Sequence, residues 1–168
     1  MAETARSLRP ITKTSVQSRV SHEEWEARCD LAAACRLAGV YKWTDLIYTH
    51  YTARVPNSPH YLMNPLGLMF EEITASSLVK IDTGGKVIDD PLNLGCSPAG
   101  FIIHSSVYQA RAEVNCVIHT HTRAGVAVSA QRSGLLPISQ HAMRVYGILS
   151  YHDYEGIALN LDERTRLA

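Results

Sequence analysis

His119 and His121 stand one residue apart at the end of the apolar run Cys116-Val117-Ile118, directly before Thr122-Arg123-Ala124-Gly125. Alternate residues of a β-strand project to one face, about 7 Å apart at the backbone. Two imidazoles so placed can converge on one divalent ion and leave coordination positions open for a substrate. The same spacing serves two histidines that are merely exposed or hydrogen-bonded at a strand end, and spacing alone does not separate the two readings.

The elements that must carry this pair follow from capping and alternation. Ser21-His22-Glu23-Glu24 fits a capping box flanked by a Val20–Trp25 staple. It predicts a helix that ends at Gly39. Asp45 to Val55 alternates and reads as a strand, Tyr61-Leu62-Met63 as a second, and Leu78 to Asp82 as a third. A turn at Thr83-Gly84-Gly85 then returns Lys86 to Ile88 as a hairpin. Ser97-Pro98 starts a helix through Ala112. Asn115 to Thr120 is the strand that carries the histidines, and a helix from Thr122 to Arg132 follows it. A last short strand is expected at Gly147 to Ser150, with a helix starting at Leu161. Hairpin-like strand pairs among helices predict an α/β fold whose central sheet is mixed or antiparallel and flanked by helices.

Composition narrows the function classes. Sixteen basic residues balance sixteen acidic ones, so no electrostatic footprint for nucleic acid or an anionic membrane surface is expected. No apolar run approaches the roughly 18 residues of a membrane span. Residues 1–20 lack the apolar core of a secretory signal and read as a flexible tail, with one domain over residues 21–168. Cys29, Cys35, Cys96 and Cys116 show no C-x-x-C spacing and read as small buried thiols of a reducing compartment, the cytoplasm. No glycine-rich phosphate loop is present.

Several stretches together resemble the class II aldolase/adducin domain: Phe70-Glu71-Glu72-Ile73-Thr74-Ala75-Ser76-Ser77-Leu78-Val79, Ala99-Gly100-Phe101-Ile102-Ile103-His104-Ser105-Ser106-Val107-Tyr108, His119-Thr120-His121-Thr122, Gly134-Leu135-Leu136-Pro137-Ile138-Ser139 and Tyr151-His152-Asp153-Tyr154-Glu155-Gly156. The similarity runs from about Glu23 onward and is closest to an adducin-like bacterial branch. It implies a divalent metal, zinc first with iron or manganese as alternatives, held by His119 and His121. In the family's enzymes a third histidine comes from a later strand, and the sequence resembles a C-terminally incomplete version of that domain. Within this chain His104, His141 or His152 are conceivable third donors, each with the plainer reading of an ordinary polar histidine.

The chain also departs from the resemblance. Gly100 occupies the place of the aldolases' acid/base glutamate and has no side chain to move a proton, so no catalytic residue is assigned. Thr49-His50, Leu66-Gly67 and Pro98-Ala99 stand where aldolases grip a phosphate, and only Gly67 keeps that pattern. Without charge-assisted donors a phosphate dianion is poorly held. The expected substrate is therefore a non-phosphorylated small molecule, met by His50, Leu66, Gly67 and Arg123, with Tyr48 and Met69 as further lining.

The function expected from the resemblance is a metal-dependent, aldolase-like enzyme for C–C cleavage or related carbonyl chemistry. A non-catalytic adducin-like scaffold and an iron-dependent oxygenase are the alternatives. The resemblance also implies a homo-oligomer, a tetramer in the family, and actin contact by analogy alone.

Overall fold

A computed structural model of the chain describes residues 15–159 and 161–167; most of the expected N-terminal tail lies outside them. Helix α1 (His22–Val40) begins where Ser21 Oγ accepts the Glu24 N–H at 3.1 Å. The return arm of the expected capping box is not made. Instead the Glu24 carboxylate takes Arg28 Nε at 3.0 Å and Lys80 Nζ at 2.9 Å. Arg28 is fully buried and donates to the Leu78 carbonyl at 2.9 Å, so the carboxylate is committed to a buried cation.

Gly39 does not end α1 as expected. The helix runs on to Val40, and Lys42 takes the left-handed conformation with φ 57°. Gly39 serves close packing instead: a Cβ there would lie 2.7 Å from Glu71 Oε1.

Five strands form one sheet: β1 (His50–Arg54), β2 (Tyr61–Met63), β3 (Val79–Ile81), β4 (Val87–Asp89) and β5 (Cys116–His119), in the order β4-β3-β2-β1-β5. Every pair is antiparallel, the antiparallel form of the predicted sheet. The first strand is shorter than expected because Leu46, with φ 50°, breaks the extended chain and Tyr48 N–H turns back to Asp45 O. The expected strand at Gly147–Ser150 does not form. Ser139 caps a helix, α4 (Gln140–Tyr146), and the chain turns at Gly147. Helix α2 (Pro98–Ala110) starts at Ser97 as predicted, α3 (Arg123–Ser129) is shorter than predicted, and α5 (Arg164–Leu167) follows a 3-10 turn at Leu161–Glu163.

Both faces of the sheet are covered. Leu31, Ala32, Cys35 and Ala38 of α1 pack on Tyr51, Leu62, Phe70, Ile73 and Leu78. On the other face Phe101, Ile102 and Tyr108 of α2 pack on Tyr61, Met63, Val79 and Ile81. Period-two alternation sorts the strands between the two helices. Cys29 and Cys116 are exposed, contrary to expectation, and only Cys35 is buried. Cys116 and Ile118 point to the α1 side of β5, where both stand exposed.

The α2 face holds a buried polar row. Tyr108 OH lies 2.9 Å from Thr52 Oγ1, Thr52 Oγ1 lies 2.7 Å from His104 Nδ1, and His104 Nε2 lies 2.9 Å from His50 Nδ1. A neutral imidazole carries one N–H, so if His104 donates to His50 it accepts from Thr52, and the row runs in one sense throughout. Desolvation, then the neighbouring imidazoles, pushes the pKa of His50 down to about 3 and that of His104 to about 2. The unfolded chain titrates these rings near the ordinary value of about 6.5. Protons taken up only by the unfolded chain lower stability, so the stabilisation is complete above about pH 6.5 and falls as the pH drops, by up to about 1.4 kcal/mol per pH unit for each ring. Urea unfolding between about pH 6.5 and pH 5, above the carboxylate range, should therefore show a declining midpoint, with a shallower decline in His104→Leu. A midpoint constant over that window would mean that the rings are protonated in the native protein.

Candidate functional site

His119 is the last residue of β5 and lies directly opposite His50 of β1. Two residues on, the His121 N–H donates to Trp43 O at 3.2 Å, which ties the departing chain to the segment before β1. The two ring nitrogens His119 Nε2 and His121 Nε2 then sit 2.9 Å apart. On the far side His121 Nδ1 lies 3.0 Å from Asp45 Oδ2.

That last contact sets the chemistry. Carboxylates accept, so His121 Nδ1 carries the proton and its Nε2 presents a lone pair. With a single proton on the His121 ring, His119 Nε2–H is the donor across the contact between them. Desolvation and the nearby His121 ring hold the His119 pKa below the ordinary imidazole range. A carboxylate behind the distal nitrogen is the usual support of a metal-binding imidazole. Two nitrogens about 2.0–2.1 Å from one ion at the tetrahedral angle stand roughly 3.3 Å apart, so the rings need to part by only a few tenths of an ångström to share one. The donor set fits a divalent ion with two protein imidazoles. Among the described residues no third histidine, cysteine, aspartate or glutamate is placed to join the pair as a ligand of the same ion.

The other histidines lie elsewhere. His104 is enclosed in α2 with both ring nitrogens engaged by His50 and Thr52. His141 is exposed on α4. His152 faces Glu155 and Glu163 at 3.6 and 3.5 Å. None of the three reaches the His119–His121 pair.

The residues expected to meet substrate separate into three places. Arg123, the first residue of α3, lines an open hollow with His121, Asp45, Val126 and Ala127. Leu66 and Gly67 lie in the turn after β2, where the Leu66 N–H donates to Gly95 O at 2.9 Å. His50 is buried behind His119, with ring centroids 4.4 Å apart and planes at 74°. Tyr48 and Met69 are exposed and do not line the hollow.

Gly100 explains the position of His50. A Cβ at residue 100 would lie 2.6 Å from His50 Cγ and 2.5 Å from Met63 Cε. The imidazole of His50 therefore occupies the volume a side chain at residue 100 would need. Asp45, Thr52 and Tyr108 carried no signal in the sequence, since Asp45 is 76 residues from its partner and Thr52 is 52 and 56 residues from His104 and Tyr108.

Comparison with known proteins follows the same lines. Residues 29–167 match the model of the Class II Aldolase and Adducin N-terminal domain. A Pseudomonas aeruginosa protein whose aldolase class 2 name is provisional is 55% identical over 153 residues, 90% of this chain and 58% of its own length. Mouse alpha-adducin is 44% identical over 159 residues, 92% of this chain and 22% of its own length. The crystal structure of an aldolase II superfamily protein from Pseudomonas syringae is 57% identical and superposes with a TM-score of 0.89, over 92% of this chain and 62% of that one. An L-fuculose 1-phosphate aldolase from Glaciozyma antarctica is 31% identical with a TM-score of 0.66, over 83% of this chain and 55% of that one. The chain thus spans about three fifths of its bacterial relatives and, with that fold and those relatives, belongs to the class II aldolase and adducin family.

Proposed function

We propose that this chain carries two metal-holding residues, His119 and His121, of a class II aldolase-type enzyme acting on a non-phosphorylated small molecule. The observation that carries the reading is the Asp45–His121–His119 alignment, in which a carboxylate fixes one imidazole so that its free nitrogen meets the other. A divalent ion held there, zinc first, supplies Lewis-acid polarisation of a substrate carbonyl or carboxylate oxygen. Arg123, beside His121 in the same open hollow, supplies a planar cation for the anionic end of such a substrate. Thr49 and His50, at one of the three phosphate-gripping pairs, are buried against the core, which supports a substrate without a phosphate. The homo-oligomer and the cytoplasmic setting belong to the same reading.

A second reading is favoured by one observation. Gly100 and the ring filling its space leave no carboxylate at the family's acid/base position, and alpha-adducin is among the relatives. On that reading the chain is a binding or scaffold module of the adducin type.

Elemental analysis separates the two. The enzyme reading expects a stoichiometric divalent metal that is lost in both His119→Ala and His121→Ala, and unchanged metal in the two variants would remove the assignment. Asp45→Asn should weaken binding by roughly 10- to 100-fold, because the amide no longer accepts the Nδ1 proton as a charge. Affinity should fall as the pH is lowered, because protons compete with the ion for the ring nitrogens.

Substrate class is tested by aldol cleavage. Fuculose or ribulose phosphates should not turn over, although one relative is an L-fuculose 1-phosphate aldolase. Turnover of about 1 per second or more, the range of ordinary enzymes, would show that the phosphate is gripped by residues other than those aligned here.

A further inference from the structure

We infer that His50 is a positioning residue for His119, and that the Tyr108–Thr52–His104–His50 row exists to hold it in place. The inference rests on the metal reading above for its purpose but on packing for its content.

The β1–β5 register sets His50 and His119 directly across from each other, and their rings meet edge to face at 4.4 Å and 74°. His121 is oriented by a hydrogen bond to Asp45; His119 Nε2 meets His121, and behind it the ring of His119 rests against the side of a second imidazole. That contact is useful only if His50 cannot turn. Its Nδ1 is bonded to His104 Nε2. Its Cγ and Cδ2 edge lies in the space left by the missing Cβ of Gly100.

The far end of the row is equally held. The Tyr108 ring stacks on Tyr61 with centroids 4.5 Å apart and planes 5° from parallel, and the Arg54 guanidinium covers it at 4.6 Å. An apolar residue at position 50 would fill volume without choosing a rotation. A hydrogen-bonded row selects one orientation for each ring, and a buried row so satisfied is rigid. The orientation chosen at Tyr108 is passed through Thr52 and His104 to the ring that faces His119.

The test uses Thr52→Val, which keeps the shape and removes the hydroxyl, Thr52→Ser, which restores it, and His50→Phe, which keeps a ring and removes Nδ1. Two measurements are made on each: cobalt(II) titration with its visible absorption bands, and 15N-detected ring resonances of His119 in the metal-free protein. Thr52→Val and His50→Phe should weaken cobalt binding about tenfold, the lower end for supporting partners of metal ligands, and should shift its bands. The same two variants should shift and broaden the His119 ring signals, and Thr52→Ser should return both readouts to wild type. His119 ring signals identical to wild type in both Thr52→Val and His50→Phe would overturn the positioning role. Should the wild-type protein bind no cobalt, the metal reading fails while the ring signals still decide the inference. If His50→Phe does not fold, the Thr52 pair decides it alone.

Discussion

The register of β1 against β5 is the constraint on which the site depends. Side chains alternate across a strand, so a slip of one residue would carry His119 from the α2 face to the α1 face and away from His50. The register is pinned at both ends. At one end the Arg54 N–H donates to Asn115 O, while its guanidinium reaches the Val114 and Tyr108 carbonyls at 2.7 and 2.8 Å, gripping the loop between α2 and β5. At the other end the His121 N–H meets Trp43 O. One strand pair with two clasps therefore decides which imidazoles can face each other.

Each face of the sheet carries its own buried polar system, and the two differ in kind. On the α1 side Arg28 is enclosed with Glu24, Lys80 and the edge-strand Asp89. Such a cluster is stable only while its charges remain matched, since removing one partner leaves another buried and uncompensated. On the α2 side the row from Tyr108 to His50 is neutral, and its members are matched by hydrogen bonds alone. The charged system ties α1 to β3 and β4, at the end of the sheet far from the histidine pair. The neutral system lies beside the His119–His121 pair, at the opposite end of the sheet.

Local chemistry was legible in the sequence and distant pairing was not. Ser21, Ser97 and Thr122 were readable as helix starts because a cap needs only a hydroxyl three residues before an N–H, and all three make that bond. The His119–His121 pair was readable as a short local spacing, although β5 ends at His119 and His121 lies just beyond it. The Glu24 side of the capping box was misread because its carboxylate is taken by Arg28, itself buried only in the fold, and by Lys80, 56 residues away. Gly39 was misread as a helix end because its need for space comes from Glu71, which packs against it only in the fold. The partnership of Asp45 with His121 and of His50 with His104 depends on sheet register, which alternation within single strands does not reveal.

The close fit of His50 on Gly100 also bears on how such a site changes over a lineage. Any side chain at residue 100 begins with a Cβ, and that atom would overlap the ring of His50. A carboxylate can therefore enter at 100 only after position 50 has become smaller, whereas the reverse order passes through an intermediate with two groups in one volume. Once the imidazole is in place and bonded to His104, shrinking it also strands a buried nitrogen, so each step back is opposed by the partner the previous step acquired. The pair behaves as a ratchet, and ancestral reconstructions should show the two positions changing in a fixed order.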